Sequence, residues 1–343
     1  MHPATKFSFT ELVEGLQKSV SAGFVTKRSS DGLTIYNYNQ KCTYEKAWNE
    51  FTIVARGLIL TKDRIVAYSF PKFFNYGEPG SMNTIPENLH EAQISEKMDG
   101  SLGIVFEYEG KWRVATRGSF ESDQAKWALK RLKTERLHPG ICFLVEIIYP
   151  ENKIVIPYDT EKMVLLGAYD SSGKEILDLA SLDGPFEIAP KYNFNSLEEV
   201  QALCKTLPGD KEGFVIRFSD GSRIKFKGDK YCDLHKGLSG CTPSRVWDAL
   251  RKCENMKPNL PEEFYDEYDK LEAGFIGKFQ RFLDRTESLQ KTYQDKTNKE
   301  VSQLPISSFD KGWIFKARHP SYLEDVKIAG KLRNNIFDLF KPN

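Results

Sequence analysis

The sequence predicts an α+β fold: antiparallel sheets with flanking helices over residues 1–240, then a smaller all-helical domain over 241–343. Three observations carry that prediction. Strand-like runs recur from Leu33 to Phe226 with few helical interruptions, an Asp220-Gly221 turn joins two of them, and beyond about residue 240 the strand signals give way to a helical apolar period.

Element by element, Ser8-Phe9-Thr10-Glu11 is a capping box in front of Leu12, Leu16 and Val20 and predicts a short amphipathic helix. Apolar and β-branched runs predict strands at Thr52–Leu60, Leu102–Tyr108, Trp112–Thr116, Ile141–Ile148, Met163–Tyr169 and Phe214–Phe218. Gln124–Lys133 and Ser196–Cys204 read as helices. Pro243 after Thr242 opens another through Trp247 and Leu250, because proline suits the first helical position. A long helix follows Pro261, with Phe264, Tyr268, Leu271, Phe275, Phe279 and Phe282 at steps of four and three, an aromatic stripe best read as core. The polar stretch Gln294–Gln303 reads as a loop between helices.

At 343 residues the chain can bury a sizeable core. It has no apolar run near the length of about eighteen residues that a spanning helix needs, and no charged-then-apolar leader, so a cytoplasmic monomer without membrane contact is expected. A net charge of +1 excludes a globally basic nucleic-acid binder but is compatible with a local cationic cleft. Six cysteines without a Cys-x-x-Cys pair predict reduced, mostly structural thiols, and five scattered histidines argue against structural zinc.

The chemistry concentrates around Lys97-Met98-Asp99-Gly100. An unprotonated lysine amine can attack the α-phosphate of a nucleoside triphosphate, and nearby cations favour loss of its proton. The short string alone occurs by chance in roughly one of fifteen chains of this length. Its weight comes from the ordered set that follows: Glu146 in an apolar run, Glu212-Gly213, then Lys225 and Lys227. The two lysines alternate with Ile224 and Phe226, so both amines leave one face of a strand.

The register of the preceding turn decides their neighbours. A two-residue turn would set Ile216 opposite Lys225; a three-residue loop closing on Gly221, which we favour, sets Val215 there and Arg217 opposite Arg223, a repulsion for bound phosphate or solvent to relieve. Glu146, amid Ile141-Cys-Phe-Leu-Val and Ile147-Ile148, is predicted buried, which implies pairing or a metal. Arg56, set inside an expected strand, needs a partner for its charge and implies a phosphate or carboxylate; Lys72 and Arg117 are further cations beside small or aromatic residues where phosphate could be held, although each alone reads as a surface charge. Walker and Gly-x-Gly-x-x-Gly phosphate cradles are absent, as are the Gly-x-Ser-x-Gly elbow and a metalloprotease histidine pair, which leaves covalent lysine chemistry standing.

With Tyr36-Asn-Tyr, Ala55-Arg56-Gly57, Lys72-Phe73-Phe74-Asn75, the Lys97 motif, Arg117-Gly118-Ser119, Glu146, Ile154-Val155, Glu212-Gly213, the lysine pair, Tyr231 and Leu234-His235 in this order, the chain resembles the covalent nucleotidyltransferases. More closely, it resembles the phage-type ATP-dependent RNA ligases of the RNA ligase 1 group. The resemblance runs from about Asn37 to His235 and implies a nucleotidyltransferase domain over 1–240, with Lys97 as the nucleophile that carries AMP. It further implies that Arg56 contacts the nucleotide and its phosphates, that Lys225 and Lys227 grip the α-phosphate, and that Lys72 touches the outgoing phosphates. Asp99, Gly100, Arg117, Gly213 and Tyr231 belong to the same nucleotide site, and Leu166 and Val215 sandwich adenine. Arg117 stands where the family often has lysine.

Glu146, Glu212 and Asp99 are the carboxylates implied to hold Mg²⁺ or Mn²⁺, mainly through water. The substrates implied are ATP and RNA with 5′-phosphate and 3′-hydroxyl ends, single-stranded or a broken tRNA, with the helical domain choosing the RNA; for a phage-encoded chain the location is the host cytoplasm. DNA ligases and mRNA capping enzymes share the lysine motif, but a β-barrel usually follows it there, whereas helix follows residue 240 here. A binding module that holds RNA ends without catalysis would be expected to have lost part of the charged set, and all of it is present.

Overall fold

The computed structural model describes residues 1–78, 89, 91–152, 154–156, 158–260 and 265–342, without the side chains of 236–239, 259, 266 and 267. It divides into two compact units, Met1–Leu238 and Ser239–Asn343.

The first unit opens on α1 (Phe9–Ser21), whose Ser8–Glu11 capping box is formed and whose Leu12 and Leu16 are buried. The strands β1 (Val25–Ser30) and β2 (Leu33–Tyr38) follow, then α2 (Gln40–Tyr44) and α3 (Glu50–Val54), then β3 (Arg56–Leu60) and β4 (Ile65–Ala67). Here the expected strand Thr52–Leu60 is corrected. Asn49 accepts from the backbone N–H groups of Phe51 and Thr52 while Thr52 Oγ1 returns a bond, so this box starts a helix despite the β-branched run. Arg56 becomes the first residue of its strand.

The remaining strands are β5 (Phe74–Asn75), β6 (Gln93–Lys97), β7 (Ser101–Tyr108), β8 (Lys111–Thr116), β9 (Ile141–Ile148), β10 (Lys162–Asp170), β11 (Glu187–Ile188), β12 (Lys191–Tyr192), β13 (Gly213–Arg217) and β14 (Arg223–Lys227). The helices α4 (Asp123–Arg131), capped by Ser122, and α5 (Leu197–Thr206), capped by Ser196, interrupt them, and α6 (Asp229–Ser239) follows.

Three sheets result, ordered β1-β2-β3-β4, β11-β10-β9-β7-β8 and β12-β6-β13-β14-β5. Pairing is antiparallel except at two edges, where two-residue β11 and β5 run parallel to β10 and β14. No tight hairpin joins either pair, so nothing forces them antiparallel. Apolar clusters fill the spaces around the sheets: Leu12, Leu16, Ile35, Leu58, Ile104 and Leu144 in one; Val105, Phe143, Val145 and Ile147 in a second; Val200, Phe214, Ile216 and Phe226 in a third.

The second unit is helical among its described residues: α7 (Pro243–Arg251), α8 (Tyr265–Thr292), α9 (Asn298–Gln303), α10 (Ser308–Ala317), α11 (Tyr322–Asp325) and α12 (Lys331–Phe337). The aromatic stripe of α8 is core, with Tyr268, Phe275 and Phe279 buried against Trp247, Trp313 and Phe337, each worth about 1.5–3 kcal/mol of apolar burial. Phe264, the first residue of that expected stripe, lies outside the described residues. The loop expected at Gln294–Gln303 is corrected, because a capping box between Thr297 and Glu300 starts α9 within it. Among the described residues no helix is long and apolar enough to cross a membrane.

Candidate active site

The hairpin β13–β14 closes through a three-residue loop with Gly221 at φ +87°, and Val215 faces Lys225. Arg217 does face Arg223, but the expected relief by phosphate or solvent is replaced by a carboxylate: Glu175 pairs with Arg217 at 2.9 Å and also with Arg223.

Strand β6 completes the face. Lys97, Gly213 and Lys227 stand in register across β6, β13 and β14, with Ser95, Val215 and Lys225 two residues further along. Gly213 has φ +143°, and a side chain there would collide with the Phe226 carbonyl, so glycine is required at the centre of the row. Beneath it, Glu212 Oε1 lies 2.6 Å from Lys97 Nζ and 3.0 Å from Lys227 Nζ. Burial pushes the Glu212 carboxyl upward, but the two ammonium groups, by charge and hydrogen bonding, bring it below its ordinary value. Lys97 thus has the expected lysine pair close by, with Lys227 in its row, and also a direct carboxylate partner that the sequence alone does not place there.

Glu146, on β9 between Leu102 and Val164, faces the same centre. Burial pushes its carboxyl up to about 8; Lys97 opposes this, Glu212 reinforces it, and Arg56 and Asp99 act more weakly in opposite senses. That list of influences gathers five predicted residues from separate parts of the chain into one electrostatic neighbourhood. The Lys97 motif reaches it by close approach, since a side chain at Gly100 would meet the Ile147 carbonyl at 2.7 Å and Glu146 Cγ at 3.0 Å.

Asp99 has a different geometry from the metal-facing one expected. Its Oδ2 accepts from the backbone N–H groups of Val155 (2.9 Å) and Ile156 (2.8 Å), and its Oδ1 from the Tyr231 hydroxyl (2.9 Å). A buried carboxylate with three donors is a clamp that ties the motif loop to α6 and to residues 155–156. Among the described residues no group of three or more His, Cys, Asp or Glu is arranged to hold a metal ion directly. Glu146, whose burial-raised carboxyl ionises when positive charge is supplied beside it, and Glu212, held in its ionised form by two ammonium groups, are the carboxylates that could hold a hydrated divalent cation.

A second cationic group surrounds Tyr38. Lys72 is 3% exposed, its Nζ 5.0, 5.1 and 5.8 Å from the rings of Phe74, Trp48 and Tyr38. Arg117 lies over the Tyr38 ring at 5.1 Å and donates to its hydroxyl at 3.3 Å. Strand β5 connects the two groups, since Phe74 and Asn75 pair with Ile224 and Lys225. Arg56 donates to the Phe70 carbonyl at 3.4 Å and faces the Phe73 ring at 5.5 Å. Leu166, at the bulge of β10, packs on the cluster that contains Met98, and Val215 stays partly exposed beside the lysines.

Sequence reasoning missed Tyr158, whose hydroxyl accepts from the Asp99 N–H at 3.3 Å, as well as Trp48 and Glu175. Tyr158 had a usable signal, a hydroxyl closing the apolar Ile154–Ile156 stretch; Trp48 and Glu175 stand in polar loops with none.

Comparison with known proteins gives this arrangement a context. The RNA ligase family matches residues 54–231. An RNA ligase of Rhodothermus phage RM378 is 23% identical, with 88% of each chain covered. A protein of Autographa californica nuclear polyhedrosis virus, provisionally named a bifunctional polynucleotide kinase/RNA ligase, is 26% identical over 60% of this chain, which spans 34% of that longer protein. Among solved structures, an archaeal ATP-dependent RNA ligase aligns over 92% of this chain and 78% of its own with a TM-score of 0.51 at 14% identity, a likeness of fold. The family match takes in Arg56, Lys72, Lys97, Glu146, Glu212 and the lysine pair, and covers more than half of the sequence: the chain belongs to the RNA ligase family.

Proposed function

We propose that this protein joins RNA ends at the expense of ATP: Lys97 takes AMP from ATP, AMP moves to an RNA 5′-phosphate, and a 3′-hydroxyl displaces it to seal the strand. The observation that carries the reading is the row Lys97, Gly213, Lys227 over a shared Glu212, which sets the amine assigned to attack beside a second amine that can face the same phosphate.

In the first step a bond forms between Lys97 Nζ and the α-phosphorus, and the bond to the pyrophosphate oxygen breaks. The amine must first shed a proton to solvent, a loss that the neighbouring Lys227 charge favours, while Glu212 at 2.6 Å holds Lys97 Nζ in place. Lys225 and Lys227 offset charge on the α-phosphate, with Arg56 on the nucleotide and Lys72 and Arg117 toward the outgoing phosphates. Leu166 and Val215 are assigned to the adenine faces, Gly100 and Gly213 to close approach, and Tyr231 to holding Asp99 in place. Glu146 and Glu212 would hold hydrated Mg²⁺ or Mn²⁺ through water, which supplies further neutralisation at the phosphates. The substrate is RNA with 5′-phosphate and 3′-hydroxyl ends, and residues 241–343 are assigned to choosing it.

Incubation with α-labelled ATP and a divalent cation is expected to leave a covalent label that Lys97→Ala abolishes; a label persisting on the variant refutes the nucleophile. Labelling by GTP instead would point to capping chemistry. Sealing of nicked DNA duplex in preference to single-stranded 5′-phosphorylated RNA would overturn the RNA assignment.

A further inference from the structure

The second unit carries a cleft of about 370 Å³ between α10 and the end of α12. That is near the lower bound of ligand pockets, which run about 300–1,000 Å³, and suits one small planar group. One wall is aromatic: Phe309, 45% exposed, lies 6.2 Å from the Trp313 ring, which in turn packs edge-on against Phe282 at 4.8 Å. The exposed Lys316 holds its Nζ 3.9 Å from the Trp313 ring at the same rim. Across the cleft stand Asn335, which can donate and accept, and Asp338, whose carboxylate lies 3.6 Å from the Arg251 guanidinium.

Gly312 sits between Phe309 and Trp313 on α10 and lines the cleft. A Cβ there would meet no atom within 4 Å, and its φ lies outside the left-handed region. Glycine is a poor residue for a helix interior. Neither the backbone nor the packing requires it here, and the space a larger residue would fill is the cleft itself.

We propose that this cleft is a nucleobase subsite: one unpaired base of the RNA strand stacks on Phe309, presents its edge to Asn335 and Asp338, and leaves its phosphate beside Lys316. The chemistry is that of single-strand recognition, an aromatic plane for any base, edge groups for hydrogen bonding and a cation for the backbone. The assignment rests on the RNA ligase reading and gives the helical unit a defined role within it.

The test uses the full chain and a single-stranded, 5′-phosphorylated oligoribonucleotide containing 5-iodouridine. Irradiation is expected to cross-link the RNA to the peptide spanning Phe309–Lys316, and Phe309→Ala and Gly312→Leu are each expected to weaken binding of the same oligonucleotide about five- to tenfold. Gly312→Leu should at the same time melt at or above the wild-type temperature, which separates blocking of the cleft from damage to the helix. Undiminished RNA affinity in both variants, or cross-links confined to residues 1–238, overturns the subsite. Labelling of Lys97 by ATP, measured on the wild-type chain without RNA, keeps the two readings apart, since its failure overturns the ligase assignment itself.

Discussion

The hairpin β13–β14 ends twice in the same way, with two cations on one carboxylate, and the two ends behave differently. At the turn, Arg217 and Arg223 share Glu175; Arg223 and Glu175 are 8% and 10% exposed, and the Arg223 guanidinium also lies 4.4 Å from the Phe70 ring. At the open end, Lys97 and Lys227 share Glu212, but Lys97 keeps 21% of its side chain exposed, and Glu146 stands beside it as a carboxyl raised by burial. Guanidinium forks satisfy a carboxylate with fixed geometry, whereas ammonium groups are point charges on flexible stems that can let go. The turn end is therefore read as a closed structural joint, and the open end as the more exposed ion cluster at which the proposed chemistry is set.

The largest effect expected from this contrast is at the open end. Lys227→Met should slow label capture from ATP by about 10²–10³-fold while costing the fold about 1 kcal/mol, because Glu212 retains Lys97. A labelling rate close to wild type would remove Lys227 from the chemistry. Glu175→Gln should do the reverse: leaving two guanidinium groups opposed without their carboxylate costs about 3 kcal/mol in denaturant unfolding, with label captured per folded molecule preserved. If this variant unfolds at the wild-type midpoint, the turn end is not the joint described.

Glu146 supplies a finer test. Its carboxyl moves from an ordinary 4.5 to about 8, so the folded chain binds that proton more tightly than the unfolded chain does. The associated stability is complete below about pH 4.5 and is lost as pH rises through about 8. Glu146→Gln mimics the neutral form and should gain about 2 kcal/mol over wild type at pH 8, a discounted share of about 1.4 kcal/mol per unit because the residue is partly exposed, with no gain at pH 4. Label capture should fall in the same variant. Equal stability of the two proteins across this range would show that Glu146 is not held neutral.

Much of this contrast could be read from the sequence, and the part that could not has physical causes. Local rules sufficed for the Val215–Lys225 register, because Gly221 alone can close that loop, and for the α8 stripe, because helical period and aromatic burial agree. They failed at Thr52–Val54, where a cap outweighs β-branched propensity, and at Thr297–Gln303, where polar composition hides another capping box. For the site, types and order pointed to Lys97, Glu146, Glu212 and Lys227 as a group. Its ion pairing was not legible: whether a lysine faces a cation or a carboxylate depends on register across three strands, and Lys97 opposite Gly213 has no local signature. Glu175, Trp48 and Tyr158 act across long sequence separations, to which periodicity is blind.

The smallest expected effect lies at the turn end and has the opposite pH dependence. His2 is 1% exposed, with Nε2 2.9 Å from the Ser69 carbonyl and its ring 5.0 and 5.4 Å from Tyr68 and Tyr169. Burial, helped by the nearby Arg223 charge and opposed by the Ser69 contact, brings the imidazole down from 6.5 to about 3. The unfolded chain therefore binds the proton more readily, and the stability held by neutral His2 is complete above about pH 6.5 and lost as pH falls toward about 3. Between pH 7 and pH 5.5 the wild-type chain should lose about 1 kcal/mol from this residue. His2→Gln, which cannot titrate, should be less stable at pH 7 for want of the ring packing, yet show a shallower fall over that interval. Acid sensitivity at His2 and alkaline sensitivity at Glu146 would then bracket a window in which both ends of the hairpin hold together, whereas parallel pH curves for His2→Gln and wild type would release the turn end from any part in it.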